Sequence, residues 1–475
     1  MKGLDSILKG KYPAKAHCAK VAAYLKEKTR HNGPSRIYLQ GQKTRMIEDN
    51  DEPQPFRQRR HFFYLTGCAL PDCHLIYHIP TAHLTLFIPP LEPSSVIWSG
   101  LPLLPKDALA KYDIDACLPS TELHDYLGQK VPHQLTFEER RDAEQPLTYT
   151  EKAHLPDDQF AQSVFLPWDL DALHDAIDEC RVTKDEYEIA SIRRANEVTT
   201  AAHIAVMKHL KTAKNEQELE AVFLERSVAL GCKEQAYHGI FGSGENAATL
   251  HYQANNQELR GRANLLVDAA AEWECYCADV TRTMPLSGVF DEESVNIYKV
   301  AYRMQEGCLE MLKEGVQWED VHTKAHEIAI DGLLSLGLLK GDKKEIFDAR
   351  TSVAFFPHGL GHYLGMDTHD TGGHPDYEDK DKMFQYLRVR GKLPEDSVIT
   401  VEPGVYFCRF IIDPYLKDEK QRGFIDEKVL EKYWHVGGVR IEDDILITKD
   451  GYENLTTAPK DIDQMKKIID SQSVG

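Results

Sequence analysis

The sequence has no run of about 20 apolar residues, the length that an α-helix needs to cross a bilayer. Its first residues, MKGLDSILKGKYPAKAH, also lack the continuous apolar stretch of a secretory signal, so we expect a cytoplasmic protein. Basic residues are outnumbered: 56 Lys and Arg stand against 76 Asp and Glu, for a net charge of −20. Phosphates and anionic lipids repel such a chain, which argues against nucleic acid and membranes as partners.

Paired cysteine motifs are also missing. The ten cysteines are scattered and form no CxxC pair, which disfavours a disulfide framework and a cysteine zinc site. Cys275 and Cys277 are two residues apart, on one face of a predicted strand, and we expect both to be packed thiols. Unpaired cysteines of this kind are typical of a protein in a reducing compartment.

The length of 475 residues exceeds what one ordinary core supports and predicts two domains. The first third predicts alternating helix and strand, with a helix over 16–29 and strands over 36–40, 62–66, 73–79 and 84–88. From 140 to 185 the pattern loosens into charged, proline-containing sequence. Thr183 and Glu186 then form a predicted capping box, which places the domain boundary there and gives domains over 1–183 and 184–475.

The second part predicts long helices separated by pairs of strands. Apolar residues recur every three or four positions from Ile189 to Leu210, which marks one helical face. The predicted helices span 184–212, 216–230, 291–314 and 317–337, and the last predicted strands span 398–402 and 439–447.

Two aspartates mark the ends of β-prone runs. Asp268 follows an apolar run, and Asp279 opens the next one eleven residues later. A hairpin turning at 273–274 would place the two directly across from each other, where they repel unless a cation lies between them. Alternatively, Asp268 is a turn residue and Asp279 a surface group, although an unpaired carboxylate is costly at the end of a buried strand.

Acidic residues and histidines interrupt other apolar or glycine-rich stretches in the same way. Glu402 and Glu442 lie in strand-like sequence, and His358 and His362 flank Gly-Leu-Gly. A lone Glu is usually paired with an Arg such as Arg440, and a lone His is usually a core residue. Four carboxylates with an imidazole are better explained as a metal site, and oxygen-rich ligation suits Mn, Co or Fe better than structural zinc.

These segments resemble the metal motifs of the pita-bread metallopeptidases, in the branch of Xaa-Pro aminopeptidases and prolidases. The matching pieces keep the family's order over residues 180–455 and span 242–252, 268–283, 358–370, 400–404 and 440–444. The first domain resembles the creatinase-type N-terminal domain of that branch. The resemblance implies an α/β N-terminal domain followed by an α+β pita-bread catalytic domain.

The resemblance also implies two divalent metal ions, with Mn²⁺ as the first expectation and Co²⁺ or another divalent ion as the alternative. Asp268 would bind one ion, and His362 and Glu402 would bind the other. Asp279 and Glu442 would bridge the two ions.

Other positions that match the family would support the reaction. Three histidines would hold the substrate and stabilise the tetrahedral intermediate, with His369 or His358 as the oxyanion donor: His251, His358 and His369. Tyr406 and Arg440 would orient the ligands. Glu402 would shuttle the proton as well as bind metal.

We therefore expect an Xaa-Pro aminopeptidase, which releases an N-terminal residue linked to a penultimate proline from a peptide substrate. We also expect a homodimer, as in many relatives, with the first domain as the contact. Prolidase, which cleaves only Xaa-Pro dipeptides, shares every motif and is the main alternative. A non-catalytic peptide-binding module and a creatinase-like hydrolase are disfavoured because no ligand is missing. Methionine aminopeptidases generally lack the large first domain.

Overall fold

A computed structural model of the chain describes residues 3–128, 146–154 and 167–471, so the predicted loose stretch falls partly outside the described residues. The chain divides into two compact units, Met1–Arg181 and Val182–Gly475. None of the helices within the described ranges combines the length and apolarity that crossing a bilayer requires.

The first unit contains a six-stranded mixed sheet in the order β4-β3-β2-β1-β5-β6. Its strands are β1 Ser35–Gln40, β2 His74–His78, β3 His83–Ile88, β4 Ala116–Pro119, β5 Leu147–Tyr149 and β6 Trp168–Asp169. The helices that accompany it are Leu4–Leu8, Ala14–Thr29, Arg60–Thr66, Val96–Ser99, Pro105–Lys111, Leu123–Gly128 and Ala172–Val182. The unit is therefore of the α/β type.

One predicted strand of this unit is wrong. Residues 62–66 belong to the helix Arg60–Thr66, all of whose residues are buried. A helix buried on every side shows no amphipathic period, and so short an apolar run does not distinguish strand from helix. Gly67, with φ of 64°, ends the helix in the left-handed conformation that glycine adopts most readily.

The second unit combines small antiparallel sheets with long helices. Its strands are β7 Ile240–Ser243, β8 Asn264–Asp268, β9 Glu272–Trp273, β10 Tyr276–Cys277, β11 Thr281–Pro285, β12 Val398–Val401, β13 Gly404–Tyr406, β14 Gly438–Arg440, β15 Asp443–Thr448 and β16 Gly451–Asn454. They form the sheets β11-β8-β7, β12-β15-β16, β10-β9 and β13-β14.

The helices of the second unit pack against its sheets around one apolar core. They are Glu186–His209, Glu216–Ala229, Glu292–Leu309, Trp318–Ser335, Lys343–Asp348, Arg409–Lys417, Glu419–Phe424, Glu427–Leu430 and Ile462–Asp470. The four long helices predicted from the sequence are all present, with ends that are shorter by a few residues.

The first of these helices begins later than its predicted capping box. Asp185 is the N-cap, and its side chain and that of Glu188 accept reciprocal backbone hydrogen bonds. Thr183 satisfies the same sequence pattern, but its backbone pairs with Ser397 in an isolated bridge and is not available to cap a helix.

The hairpin after β8 turns one residue later than predicted. Trp273 pairs with Tyr276, and the turn residues Glu274 and Cys275 have φ of 44° and 67°, as in a type I′ turn. Because Cys275 lies in the turn, it does not share a strand face with Cys277. Both are buried free thiols, as expected.

This shift changes the strand register. Asp268 pairs with Thr281 and not with Asp279. Asp279 instead lies two residues before Thr281, in the break between β10 and β11, and its carboxylate still reaches the hydroxyl that contacts Asp268. The prediction of directly opposed aspartates is wrong, but they are diagonal neighbours.

Candidate active site

A cavity of about 580 Å³ opens in the second unit. Nine of the ten candidate site residues line it: His251, Asp268, Asp279, His358, His362, His369, Glu402, Arg440 and Glu442. The tenth, Tyr406, lies behind this lining. Segments that are far apart in the sequence therefore converge on one cavity.

Asp268 and Asp279 meet at a tyrosine hydroxyl. Tyr237 Oη lies 2.5 Å from Oδ1 of Asp268 and 2.6 Å from Oδ1 of Asp279. A hydroxyl carries one proton and can donate to only one of the two oxygens at a time. The hydroxyl therefore holds the pair close but carries no formal charge that would neutralise it.

Glu402 and Glu442 lie next to each other at the same end of two paired strands. β12 and β15 are antiparallel, with Val401 opposite Asp443, so each glutamate is the next residue beyond that pair. The strand predicted over 439–447 is interrupted at Ile441 and Glu442, between β14 and β15. Thr281 donates a 2.5 Å hydrogen bond to Glu442 at this break, so the acidic side chain is directed away from the ladder.

His362 faces the carboxylates through a nitrogen that carries no proton. Its Nδ1 lies 3.0 Å from the carbonyl oxygen of Tyr363, which can only accept, so Nδ1 is the protonated nitrogen. Nε2 then lies 3.3 Å from Oδ2 of Asp279 and 3.4 Å from Oε1 of Glu402. This arrangement is repulsive when the carboxylates are ionised, and a cation between these atoms would relieve the repulsion.

Burial and mutual repulsion perturb this group of carboxylates. Burial, with the charges of neighbouring carboxylates, raises the pKa of Asp279 and that of Glu442 well above the ordinary range. Burial also raises the pKa of Glu402 to about 7. Ligand atoms of Asp279, His362 and Glu442 lie within 4.8 Å of one another. The donor set of oxygens and one imidazole fits a divalent ion that would relieve this repulsion.

Arg440, Tyr406 and His358 form a hydrogen-bonded chain beside the carboxylates. Arg440 donates to Asp268 at 2.6 Å and to the Tyr406 hydroxyl at 3.0 Å. His358 Nδ1 lies 2.8 Å from the carbonyl of Gly359, so Nε2 accepts the proton of Tyr406, also at 2.8 Å. Both nitrogens of His358 thus have protein partners, and burial lowers its pKa to about 3.

The other two candidate histidines lie on the solvent side of the cavity. His251 and His369 are both exposed. The ring of His369 packs edge-on against His362, with centroids 4.4 Å apart. Both rings can therefore contact a molecule bound in the cavity from the solvent side.

Three contacts of this site had no signal in the sequence. Tyr237 lies in no motif, yet it contacts both aspartates. Asp444 accepts the backbone N–H of Asp279 at 3.0 Å, a role that its position beside Glu442 does not reveal. The cavity lining also includes Arg388, from a segment with no regular structure.

Two family models match the chain. The model described as metallopeptidase family M24 matches residues 190–449, and the model described as aminopeptidase P, N-terminal domain, matches residues 17–136. The first covers more than half of the chain. It also supports the expectation of divalent metal ions at this site.

Curated relatives match over nearly the whole length. A probable Xaa-Pro aminopeptidase of Botryotinia fuckeliana is 58% identical over 465 residues, which cover 98% of each chain. A probable Xaa-Pro aminopeptidase of Talaromyces marneffei is 58% identical over 478 residues, which cover 99% of each.

Solved structures of the same kind superpose on the chain. Aminopeptidase P from E. coli with the inhibitor Pro-Leu has a TM-score of 0.79 and 27% identity, covering 97% of this chain and 99% of that one. The aminopeptidase PepP of Pseudomonas aeruginosa has a TM-score of 0.79 and 26% identity, with the same coverage. These matches confirm the predicted fold class, an α/β N-terminal domain with a pita-bread C-terminal domain. The chain therefore belongs to the metallopeptidase family M24 and, within it, to the Xaa-Pro aminopeptidase family.

Proposed function

We propose that this protein is a metallo-aminopeptidase that hydrolyses the bond between an N-terminal residue and a penultimate proline. The observation that carries this is the lone pair of His362 directed between Asp279 and Glu402. A buried imidazole and several carboxylates facing one another hold a cation, and the matching relatives are named for this activity.

The proposed ligands are those expected from the sequence. Asp268 would hold one ion and His362 with Glu402 the other, and Asp279 and Glu442 would be shared. Two divalent ions, when bound, supply Lewis acidity and a nucleophilic water near neutral pH. We propose Mn²⁺ as the metal, because four carboxylates with one imidazole form an oxygen-rich donor set.

Glu402 is the residue that we assign to proton transfer. It lies at the open edge of the carboxylate group, with 17% of its side chain exposed. Its pKa, raised to about 7 by burial, suits a group that takes and returns a proton near neutral pH. It would accept the proton of the attacking water and deliver it to the leaving proline nitrogen.

We assign the oxyanion contact to His369 in preference to His358. The two ring nitrogens of His358 are already bonded to Gly359 and Tyr406. His369 lines the cavity from its exposed side and can direct an N–H at a developing negative charge. His251, on the same side, would contact the bound peptide.

One observation favours the dipeptidase as a second candidate. Lys382 and Arg388 line the same cavity as the carboxylates. A cationic end to the cavity suits the free carboxylate of a dipeptide, since a guanidinium pairs with a carboxylate in bidentate fashion.

A substrate panel tests both candidates. The purified full-length chain with added Mn²⁺ is given an Xaa-Pro dipeptide, an Xaa-Pro-Yaa tripeptide and an Xaa-Ala-Yaa tripeptide, and release of the first residue is measured. We expect cleavage of Xaa-Pro-Yaa and no cleavage of Xaa-Ala-Yaa. Cleavage of the dipeptide alone would assign the chain as a prolidase, and no cleavage of any peptide with any divalent ion would refute both.

We also propose the domain limits and compartment expected from the sequence. The N-terminal domain spans 1–183 and the catalytic domain 184–475, a division supported by the compact units of the chain. A cytoplasmic location is supported by the ten cysteines, which are all free thiols. Fluorescent tagging of the chain in cells would test the location.

A homodimer is the proposed assembly. Ile97 and Trp98 in the first unit are 82% and 87% exposed, and Leu101 nearby is 68% exposed. Large apolar side chains clustered on a surface mark a contact region. Trp98→Glu should shift the mass measured by light scattering from dimer to monomer, and a wild-type chain that is monomeric at micromolar concentration would refute the dimer.

A further inference from the structure

A second cluster of histidines and carboxylates lies within the first unit. His61 comes from the helix Arg60–Thr66, Glu151 from the segment after β5, and His174 with Asp178 from the helix Ala172–Val182. The metallopeptidase site uses none of these residues. Ligand atoms of His61, Glu151 and His174 lie within 4.8 Å of one another.

The contacts in this cluster join the two histidines to the two carboxylates. His61 Nδ1 lies 2.5 Å from Oε1 of Glu151, and its Nε2 lies 2.9 Å from Oδ1 of Asp178. His174 Nδ1 lies 3.6 Å from the other oxygen of Glu151, and its Nε2 lies 3.4 Å from the other oxygen of Asp178. Each imidazole thus faces both carboxylates.

The separations resemble those around a small tetrahedral ion. Zinc bonds to imidazole nitrogen and carboxylate oxygen are about 2.0–2.2 Å, which places adjacent ligand atoms about 3.3–3.4 Å apart. Two of the four contacts, at 3.6 and 3.4 Å, lie close to that spacing. The two contacts of His61 are shorter, and the one to Glu151 would lengthen when an ion replaces the shared proton.

A third histidine, His154, contacts Glu151 and orients its carboxylate. The backbone N–H of Gln40 donates to Nδ1 of His154 at 3.3 Å, so the proton of the neutral ring is on Nε2. That nitrogen faces Oε2 of Glu151 at 3.6 Å. Burial lowers the pKa of His154 to about 4, which keeps the ring neutral. Outer contacts of this kind fix a ligating carboxylate in place.

Burial in the cluster is graded towards solvent. The side chains of His61 and Glu151 are 10% and 11% exposed, and that of Asp178 is 22% exposed, whereas His174 is 59% exposed. An ion could therefore reach the cluster from the side of His174. The other three groups are already partly removed from water, which lowers the cost of assembling them.

Positive groups already balance the carboxylates of the cluster, so its charge does not by itself call for a cation. His61 with an acceptor on each nitrogen is an imidazolium. Burial alone lowers its pKa, but the hydrogen bonds to Asp178 and Glu151 outweigh this and raise it. Arg59 and Arg181 add positive potential nearby. The convergence of one ligand atom from each of His61, Glu151 and His174 is what points to an ion.

We propose that His61, Glu151 and His174 form a binding site for a divalent transition metal ion of the zinc type in the N-terminal domain, with Asp178 orienting the two imidazoles through their other nitrogens. Two imidazoles and a carboxylate suit such an ion. Binding would release the proton of His61 to solvent and link three separate segments of the domain. Its role is structural, because an ion that binds only the folded chain stabilises it.

Metal counting on the full-length chain tests the proposal. The protein is depleted of metal with a chelator and dialysed against Zn²⁺, and bound zinc per chain is measured by elemental analysis. We expect His174→Ala to bind about one ion fewer than wild type, and the zinc-dependent rise in its thermal midpoint to be smaller. His174 is exposed, so the variant should fold.

A matched control and a second variant complete the test. His124→Ala removes another exposed histidine of the same unit and should bind as much zinc as wild type. Asp178→Asn keeps the shape of the side chain and should behave as His174→Ala. Wild-type zinc counts in both His174→Ala and Asp178→Asn would overturn the proposal. Peptide hydrolysis by His174→Ala should be unchanged, so the outcome does not depend on the proposed activity.

Discussion

Nε2 of His362 lies 3.3 Å from Oδ2 of Asp279, although the two residues are 83 positions apart in the sequence. Burial lowers the pKa of the imidazole, and the opposite nitrogen is the one that donates to the carbonyl of Tyr363. A lone pair and a carboxylate oxygen at this distance repel each other. A cation bound between them, as proposed above, would turn the repulsion into ligation.

Removing either of two proposed metal ligands should remove activity without unfolding the protein. Asp279→Ala and Glu402→Ala are each expected to reduce peptide hydrolysis by roughly a thousandfold or more, because charge stabilisation by bound metal contributes several kcal/mol. Bound metal per chain should fall as well. In chelator, the thermal midpoint of Asp279→Ala should match or exceed that of wild type, since one of several repelling carboxylates is gone.

An exposed aspartate provides the control for these variants. Asp331→Ala removes a surface ion pair with Lys343 and should retain wild-type hydrolysis and metal content. Full turnover by Asp279→Ala in metal-free buffer would contradict the two-metal site.

Tyr237→Phe should weaken metal binding more than it slows the reaction. The hydroxyl contacts Asp268 and Asp279 and fixes their orientation, and such outer contacts contribute about 10–100-fold in metal affinity. We expect activity to require more added Mn²⁺ and to recover at saturation. Tyr252→Phe is the matched control, because its hydroxyl contacts Glu216. Activity that stays low at saturating metal would assign Tyr237 a direct part in the reaction.

Arg388→Gln should reveal whether the cavity binds a free carboxylate. If it does, KM for an Xaa-Pro dipeptide rises by about 10-fold or more, because a hydrogen bond to a charged group contributes about 1.5–3 kcal/mol. The same peptide with an amidated C-terminus should show little change. Equal effects on the acid and the amide would exclude a carboxylate contact at Arg388.

Glu216 should stabilise the second unit in a pH-dependent way. This buried carboxylate accepts hydrogen bonds from the backbone and hydroxyl of Ser243 and from Tyr252. Although burial alone raises the pKa of Glu216, these bonds outweigh it and lower the pKa below the unfolded value of about 4.3. The stabilisation is therefore present above about pH 4.3 and is lost as the pH falls through the folded pKa.

Glu216→Gln measures this contribution. It should lower the free energy of unfolding by about 1.5–3 kcal/mol at pH 7, from urea denaturation, and the difference should shrink towards pH 3. Glu218→Gln, on the exposed face of the same helix, should change it little. A difference in the free energy of unfolding that is constant with pH would show that the charge of Glu216 does not stabilise the second unit.

The local spacing of apolar residues was sufficient to predict the helices and strands that have one exposed and one buried face. The long helices and most strands follow from apolar spacing, since burial on one side imposes a period. The same pattern was misleading where burial is complete, as in the helix Arg60–Thr66. It was also misleading where two capping sequences compete, as Thr183 and Asp185 do.

The sequence by itself determined which residues are candidates: acidic groups at the ends of apolar strands are costly there unless something compensates their charge. Only the tertiary structure decided how they meet. A one-residue shift of the hairpin turn put Asp268 and Asp279 on a diagonal, and Tyr237 filled the space beside them. The tautomers of His358 and His362 likewise depend on single carbonyl groups. Such choices arise from contacts between distant segments, which no local pattern in the chain records.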